Sequence, residues 1–323
     1  IDVSITPNRQ DCMGVRGIAR DLAAKGIGTL KPLDAIIGQL PAIAPQGAGP
    51  DVRTDAPDAC PAFYAQSVSG VTNGPSPEWL QRRLKAIGQK PISALVDITN
   101  FIMIGLGRPL HVYDRAKLSG ALVARKAKAG EQVLALNGKT YTLTDAMTVI
   151  ADDVAAHDIG GIMGGEHSGC SETTTDVLVE CAFFTPDSIA RTGQALALTS
   201  DARQRFERGV DPAFLDEGLS VATRLVLALC GGTPSEVTRA GTPPTQPYVI
   251  TSFVPEMVEG LAGVRVSADR QKAILEALGF TVSIAADTTV HEDGVPVTTP
   301  GGWTVTVPTS RRDIHGTADL VEE

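Results

Sequence analysis

The stretch DITNFIMIGLGRPLHVYD (97–114) joins an apolar helical segment to a polar loop. The longer run ISALVDITNFIMIGLG (92–107) predicts a helix that carries Thr99 and Asn100. His111 follows twelve residues after Thr99, which is enough for a helix end and a return loop to bring the two side chains together. The stretch therefore predicts one wall of a polar pocket, although a loop histidine satisfied by backbone groups is the plainer alternative.

A glycine-rich segment, GGIMGGEHSG (160–169), is the second feature of interest, with five glycines in ten residues. It is either a tight turn or a stretch of backbone laid bare so that a ligand can approach closely. It matches neither GxGxxG nor GxxxxGK[ST], so it predicts neither a dinucleotide fold nor a P-loop. This argues against an ATP site within the chain.

Glu180 lies in LVECAFF (178–184), inside a segment over 176–184 that is predicted to be a buried strand. An unpaired carboxylate there would cost several kcal/mol. One alternative is pairing with an arginine at the strand end. The other is that the carboxyl group awaits a ligand donor such as a hydroxyl or an ammonium group.

The remaining elements predict an α+β protein in two parts. PPTQPY (243–248), with three prolines in six residues, marks the boundary between domains at 1–242 and 246–323. The first is a mixed α/β domain. For it the sequence predicts helices at 14–26, 77–88, 186–197 and 213–230, a loop at 41–61 and a strand at 63–71. It also predicts a small β-barrel at 121–153 with an Asn137-Gly138 hairpin turn. The second is smaller, with two helices, the later one capped by Ser267, and a strand pair. The chain begins in mid-motif and stops within a predicted helix, so we expect a fragment whose second domain is truncated.

Composition limits the function. Hydrophobic residues make up 43% and charged residues 20%, which is ordinary for a globular protein. The formal charge of −9 has the wrong sign for bulk attraction to nucleic acid, and aromatic residues are only 4%, too few for a base-stacking platform. No apolar run approaches the roughly 20 residues of a membrane span. Five widely spaced cysteines without a CxxC pair favour reduced thiols in a cytosolic protein over a zinc site or a disulfide framework.

Two charged segments have open interpretations. TSDARQRFERGVDP (199–212) is either a solvated helix face or, through Ser200 and Ala202, part of the floor of a pocket. The tail, SRRDIHGTADLVEE (310–323), has several acidic residues on one predicted helix face. They suit Mg²⁺, or they are first-turn acids favoured by the helix dipole. The four acidic residues concerned are Asp313, Asp319, Glu322 and Glu323.

Six segments together resemble, in order, the beta subunit of bacterial phenylalanine–tRNA ligase. They are TPNRQDC (6–12), DITNFIMIGLGRPLHVYD, GGIMGGEHSG, LVECAFF, SDARQRFERGVDP (200–212) and SRRDIHGTADLVEE. The resemblance implies a B3/B4 editing domain with an SH3-like insertion near 121–153, followed by a winged-helix-like α+β B5 domain. It places the synthetic site outside the chain.

The resemblance also implies a site that hydrolyses Tyr-tRNA(Phe). Glu180 would bind the tyrosine hydroxyl, and His111 would act near the ester. The family's other pocket positions fall on Thr99, Asn100, Pro109, Gly161, Gly164, Ser200 and Ala202. The Ser200 position is often threonine in the family, which makes the packing there less certain. The family's Mg²⁺ ligands, at the interface with the alpha subunit, fall on Asp313, Asp319, Glu322 and Glu323.

The partners implied by the resemblance are tRNA(Phe) and an alpha subunit in an α2β2 assembly, with ATP bound by the full enzyme and not by this chain. A cytoplasmic location and no membrane partner are expected. A different class of function is a non-catalytic scaffold of the same fold that binds an amino acid or a protein. DNA binding by the second domain rests only on Arg311 and Arg312, and the net charge argues against it.

Overall fold

A computed structural model describes residues 3–286, 288–292, 295–299 and 301–323 of the chain. Within these ranges the chain has mixed helices and strands, so the predicted α+β class is confirmed. None of the helices in this part combines the length and the apolar character that crossing a membrane would need.

The helices and strands alternate along the chain. The helices are α1 (Val15–Ala24), α2 (Leu33–Ile37), α3 (Glu78–Ala86), α4 (Ala94–Leu106), α5 (Pro186–Ala195), α6 (Asp201–Arg208), α7 (Leu215–Cys230), α8 (Glu256–Ala262), α9 (Ala268–Ala277) and α10 (Thr317–Glu322). The strands are β1 (Val52–Thr54), β2 (Ala62–Ser69), β3 (His111–Asp114), β4 (Leu122–Lys126), β5 (Gln132–Leu134), β6 (Thr140–Thr142), β7 (Thr148–Ala151), β8 (Ala156–Ile159), β9 (Asp176–Phe183), β10 (Thr233–Gly241), β11 (Val249–Phe253), β12 (Thr281–Ile284), β13 (Thr288–Glu292), β14 (Val295–Thr299) and β15 (Trp303–Thr306).

A four-stranded antiparallel sheet lies at the centre of the first part, in the order β10-β2-β9-β3. Strand β9 is buried along almost its whole length, as its apolar run predicted. Helix α7 packs on β2 and β9, and α4 packs on α7. This sheet places His111, at the start of β3, beside the middle of β9.

The helices predicted over 14–26, 77–88 and 92–107 are confirmed as α1, α3 and α4. Helix α4 ends at Gly107, which has a φ of +73° and closes the helix in the left-handed conformation that glycine adopts without a side-chain clash. The Asn137-Gly138 turn between β5 and β6 is also confirmed, with Gly138 at a φ of +75°.

The small barrel predicted over 121–153 is not confirmed. In the described part of the chain these strands contribute to two open sheets, one in the order β1-β4-β7-β8 and a hairpin of β5 with β6. Strand β1 comes from the segment predicted to be a loop (41–61), and it pairs in parallel with β4. Alternating residues and turn signals predict strands, but which strand lies at each edge depends on a distant segment that local patterns do not show.

The C-terminal part has a core of its own. A three-stranded sheet, β11-β15-β12, packs with α8 to α10 around Phe253, Trp303 and Leu320. The predicted cap of α9 is confirmed, since the Ser267 side chain accepts a hydrogen bond from the Arg270 N–H. The buried hydrophobic residues that the structure describes thus form two clusters, one ending at Cys230 and the other beginning after it.

Candidate functional site

A cavity of about 70 Å³ lies between the central sheet and the sheet that contains β7 and β8, with α6 on a third side. That volume has room for several water molecules or a small ligand group. Its lining consists of Pro109, Leu110, His111, Ile150, Asp158, Ile159, Gly161, Ile162, Met163, Gly164, Glu180, Phe184, Ala202 and Phe206. Six of the residues predicted from the sequence therefore meet around one space: His111, Glu180, Pro109, Gly161, Gly164 and Ala202.

His111 and Glu180 are neighbours because β3 and β9 pair antiparallel with these two residues directly opposite each other. Residues opposite each other in such a pair project from the same face of the sheet. On its other side, in β2, Glu180 faces Ala65, whose small side chain fills little of the space beside the carboxyl group. The register of one strand pair thus brings the imidazole and the carboxyl group into one cavity.

The carboxyl group of Glu180 is buried, with 6% of the residue exposed. Burial, reinforced by the nearby Asp158 and partly offset by Arg108, raises the pKa of Glu180 to about 8. Among the residues that the structure describes, no hydrogen bond or ion pair reaches this carboxyl group. Of the two alternatives drawn from the sequence, the geometry favours a carboxyl group that awaits a ligand.

Arg108 is the guanidinium that could have neutralised Glu180, but it is bound elsewhere. Its Nη1 donates to the Ala182 carbonyl oxygen at 3.0 Å, and its Nη2 donates to the Asp211 carbonyl oxygen. Arg108 is only 1% exposed, and burial lowers the pKa of its side chain. Its positive charge therefore acts on Glu180 through space, without a salt bridge.

His111 is half-buried, and its two ring nitrogens have different surroundings. Nε2 is buried without a hydrogen-bond partner in the described part of the chain and lies 4.0 Å from Oδ2 of Asp158. The imidazole stands edge-on to the ring of Tyr113, with the centroids 4.5 Å apart. The plainer alternative, a histidine satisfied by backbone groups, is not what the structure shows at Nε2.

The glycine-rich segment brings backbone close to these side chains. A Cβ added at Gly164 would lie 2.7 Å from Cε1 of His111, so only glycine allows the imidazole its present position. Gly161 has a φ of +69°, and a Cβ there would lie 2.7 Å from Cδ1 of Ile189 and 2.8 Å from Cδ2 of Phe184. The segment both turns the chain and exposes backbone at the cavity.

Opposite the polar groups the cavity has an apolar wall. Phe184 and Phe206 meet edge to face with centroids 5.1 Å apart, and Ala202 on α6 lies beside them. Ile150 and Met163 complete this side. An aromatic ring packs well on such a surface, because edge-to-face contacts add to the burial of apolar area.

Three of the predicted pocket residues lie outside the lining. The Thr99 hydroxyl donates to the Val96 carbonyl oxygen at 2.8 Å within α4, and Asn100 lies on the same helix. Ser200 caps α6 by accepting from the Arg203 N–H, and its own hydroxyl donates to the Ile162 carbonyl oxygen at 2.5 Å. Ser200 therefore supports the glycine-rich segment, and its contact with the cavity is indirect.

Sequence reasoning missed Tyr113 and Asp158. Tyr113 is fully buried, and its hydroxyl donates to Oδ2 of Asp158, whereas Oδ1 of Asp158 accepts the Gly165 N–H at 2.8 Å. The available signal was an aspartate two residues before the first glycine of GGIMGGEHSG. Tyr113 had a signal too, because it lies two residues after His111 and so on the same face of β3.

Among the described residues the four acidic residues of the tail are not gathered into a group of metal-type ligands, and Glu322 is exposed at the end of α10. Asp313 and Glu323 are both bound by the buried Arg311, with Nε to Oδ1 of Asp313 at 2.9 Å and Nη1 to Oε2 of Glu323 at 2.9 Å. Asp319 accepts the backbone N–H groups of His315 and Gly316. In this arrangement a guanidinium neutralises two of the predicted Mg²⁺ ligands, and the Mg²⁺ site stays a prediction.

The structure describes one group of metal-type ligand atoms elsewhere, at Asp11, Cys12 and Asp21. Arg9 donates to both of these carboxylates, at 3.0 Å and 2.6 Å, and Arg20 donates to Asp11 at 2.6 Å. Two guanidinium groups supply the positive charge that a metal ion would bring. This group is therefore an ion-pair network and not a candidate metal centre.

Comparison with known protein families gives the class of the chain. A family model described as the B3/4 domain matches residues 59–231, and the chain belongs to that family. A second model, described as the tRNA synthetase B5 domain, matches residues 251–323. The two matches define the class: tRNA synthetase domains in the order B3/4 and then B5.

The relatives identify the particular subunit that the chain resembles. The chain is 59% identical over 324 residues to the phenylalanine–tRNA ligase beta subunit of Novosphingobium aromaticivorans and 50% identical over 323 residues to that of Zymomonas mobilis. Each alignment covers 100% of this chain and 38% of the relative, so the chain spans well under half the length of these relatives. The resemblance drawn from the six segments is confirmed.

Proposed function

We propose that this chain is part of a phenylalanine–tRNA ligase beta subunit and that its cavity hydrolyses tyrosine wrongly attached to tRNA(Phe). One observation carries the proposal. Glu180, in the middle of a buried strand, has no partner among the described residues and shares a cavity with His111. A buried polar group is normally hydrogen-bonded, so an unpaired one facing a cavity points to a ligand that completes it.

The chemistry of the two amino acids explains why such a pocket is needed. A synthetic site shaped for phenylalanine is apolar and rejects an added hydroxyl by only about 10²-fold. A second pocket that requires the hydroxyl restores accuracy, because phenylalanine would leave Glu180 buried and unpaired. The phenol would bind the carboxyl group while its ring packs on Phe184 and Phe206.

Water is the nucleophile in this proposal. The lining contains no serine, threonine, cysteine or lysine that could attack the ester. Water bonds to the tyrosine carbonyl carbon, and the bond from that carbon to the tRNA ribose oxygen breaks. His111, the one imidazole in the lining, can accept a proton from the water and return it to the ribose oxygen.

The wider assembly is also part of the proposal. The whole protein would attach phenylalanine to tRNA(Phe) in the cytoplasm, with an alpha subunit in an α2β2 complex and with ATP and Mg²⁺ bound at sites outside the described cavity. The domains would be 1–242, with residues 121–153 as an SH3-like insertion, and 246–323, with a winged-helix-like arrangement. The separate cores of the two parts support this division.

The deciding experiment uses the complete ligase charged with tRNA(Phe). We expect Glu180→Ala, and separately Ala202→Trp, to abolish hydrolysis of Tyr-tRNA(Phe) while the rate of phenylalanylation is unchanged. Glu172→Ala, at an exposed glutamate, is the matched control and should hydrolyse normally. Normal hydrolysis by both cavity variants would contradict the proposal.

A binding-only module is the second candidate, since Thr99 and Asn100 lie outside the lining and the cavity has fewer polar side chains than the sequence predicted. The same assay separates the two functions. If the wild-type protein binds tyrosine but leaves Tyr-tRNA(Phe) intact, the cavity is a binding site without hydrolysis.

A further inference from the structure

Asp158 joins the two sheets that enclose the cavity. It lies on β8, where its Oδ1 accepts the Gly165 N–H at 2.8 Å, and its Oδ2 accepts the hydroxyl of Tyr113 from β3. Both residues are buried, Asp158 at 5% exposure and Tyr113 at 0%. The carboxyl group therefore has a fixed orientation, held by one donor from each wall.

The orientation of Asp158 has a direct effect on His111. Oδ2 of Asp158 lies 4.0 Å from Nε2 of His111, the ring nitrogen that is buried and without a hydrogen bond. Nδ1, the other ring nitrogen, lies toward Gly164, which lines the cavity: a Cβ added at Gly164 would be 3.4 Å from Nδ1. A carboxylate beside one ring nitrogen favours the proton on that nitrogen, because the N–H dipole then points at the negative charge.

We propose that Asp158 is a positioning residue that keeps the neutral His111 imidazole protonated at Nε2, so that the Nδ1 lone pair faces the cavity. This inference deepens the proposed function and rests on it for its chemical consequence. Tyr113 contributes by holding Asp158, and its ring also packs edge-on against His111 at 4.5 Å. Nothing in the six sequence segments distinguished Asp158 as a site residue.

The positioned imidazole gives the hydrolytic step a defined proton path. Nδ1 accepts a proton from the attacking water as the water oxygen bonds to the ester carbon. The imidazolium that forms has its Nε2–H toward Asp158, which stabilises the new positive charge. As the carbon–ribose oxygen bond breaks, Nδ1 returns the proton to the ribose oxygen, and the products are tyrosine and tRNA.

Other charged groups near this pair act on it less directly. Glu180 faces His111 across the strand pair, and Arg108 is bound to backbone carbonyl oxygens. Neither makes a hydrogen bond or an ion pair with the His111 ring among the described residues. Asp158 is thus the charged group placed to select the His111 tautomer.

The first test reads the tautomer without any assay of activity. The chain has five histidines, so ¹⁵N-histidine labelling gives few imidazole signals, and His111→Gln identifies the one that belongs to His111. In the wild-type chain we expect ¹⁵N shifts of the Nε2–H tautomer. Asp158→Asn should move the His111 signals toward the Nδ1–H form, and Tyr113→Phe should move them in the same direction by less.

A matched control involves Asp114, which lies on β3 with His111 and Tyr113. The Thr174 hydroxyl donates to Oδ2 of the buried Asp114 at 2.6 Å, away from the cavity lining. Thr174→Val removes a hydroxyl from a buried aspartate, as Tyr113→Phe does, and should leave the His111 signals unchanged. A His111 tautomer that is the same in wild type, Asp158→Asn and Tyr113→Phe would overturn the inference.

The second test measures hydrolysis of Tyr-tRNA(Phe) by the complete ligase. We expect Asp158→Asn to lower kcat for hydrolysis on the order of tenfold or more, with little change in KM and unchanged phenylalanylation. If Glu180→Ala abolishes hydrolysis but Asp158→Asn keeps the wild-type kcat, Asp158 does not position His111. If Glu180→Ala and Ala202→Trp both hydrolyse normally, the proposed function fails, and the tautomer measurement still decides the role of Asp158.

Discussion

Glu180 on β9 stands directly opposite His111 on β3, so one register pair of the central sheet supplies two of the cavity's polar side chains. A shift of the register by one residue would send one of these side chains to the other face of the sheet. The site therefore depends on the same strand pairing that holds the core together. Mutations that weaken this pairing should affect activity and stability together.

The pKa of Glu180 predicts how stability depends on pH. Because burial raises this pKa from its ordinary 4.5 to about 8, the folded protein holds a proton that the unfolded chain releases between these values. The free energy of unfolding that this group contributes is fully present below pH 4.5. It is lost progressively as pH rises from 4.5 through about 8. We expect Glu180→Gln to be more stable than wild type at pH 8.5, on the order of a few kcal/mol, and little different at pH 4.5.

Urea unfolding at the two pH values measures this difference. Glu172→Gln, at an exposed position, is the control and should follow the wild-type stability at both. If the difference in free energy of unfolding between Glu180→Gln and wild type is the same at pH 4.5 and pH 8.5, Glu180 does not take up a proton on folding.

Removal of the Asp158 charge should change the proton affinity of Glu180. Asp158 is the second contribution, after burial, to the raised pKa of Glu180. In Asp158→Asn we therefore expect the pKa of Glu180 to fall below about 8. The readout is the carboxyl stretch in infrared difference spectra between pH 6 and 9, with Glu180→Gln used to assign the band. A band with an unchanged midpoint in Asp158→Asn would contradict this expectation.

Gly164 should not tolerate a side chain. Alanine there would place Cβ 2.7 Å from Cε1 of His111, so the imidazole must move. We expect Gly164→Ala to reduce Tyr-tRNA(Phe) hydrolysis at least tenfold, because a misplaced catalytic group costs much of the rate. Gly105→Ala, on α4 where the added Cβ meets nothing within 4 Å, should hydrolyse normally and be slightly more stable. Equal hydrolysis by both variants would show that the close approach at Gly164 has no role.

The sequence was a good guide where a pattern is local. Helix α4 and strand β9 follow from apolar spacing and a glycine at the helix end, and the meeting of His111 with Glu180 followed from the family resemblance. The position of Asp158 could not be predicted, since it depends on β8 pairing with β7 and on the approach of Tyr113 from another sheet. The same holds for β1, whose partner β4 lies about seventy residues away.

Thr99 and the acidic tail show a second limit. A residue type at a family position does not fix which atom it binds, and Thr99 donates to the Val96 carbonyl oxygen of its own helix. Glu323, expected among the metal ligands, binds Arg311 instead. Thr99 follows the local pattern of a helical hydroxyl that binds a carbonyl oxygen one turn earlier, whereas the contact of Glu323 with Arg311 depends on how the tail folds back.

Arg311 should be a major source of stability for the C-terminal part. Its guanidinium is 1% exposed and binds Asp313 and Glu323, whose side chains are 7% and 10% exposed. Arg311→Met would leave both carboxylates buried without their partner, and loss of one member of a buried pair costs about 3–5 kcal/mol. Arg265→Met is the control, since its pair with Glu259 is largely exposed and should contribute less than about 1 kcal/mol. Chemical unfolding should show the large loss only in Arg311→Met, and equal stabilities of the two variants would mean that the buried carboxylates find other partners or water.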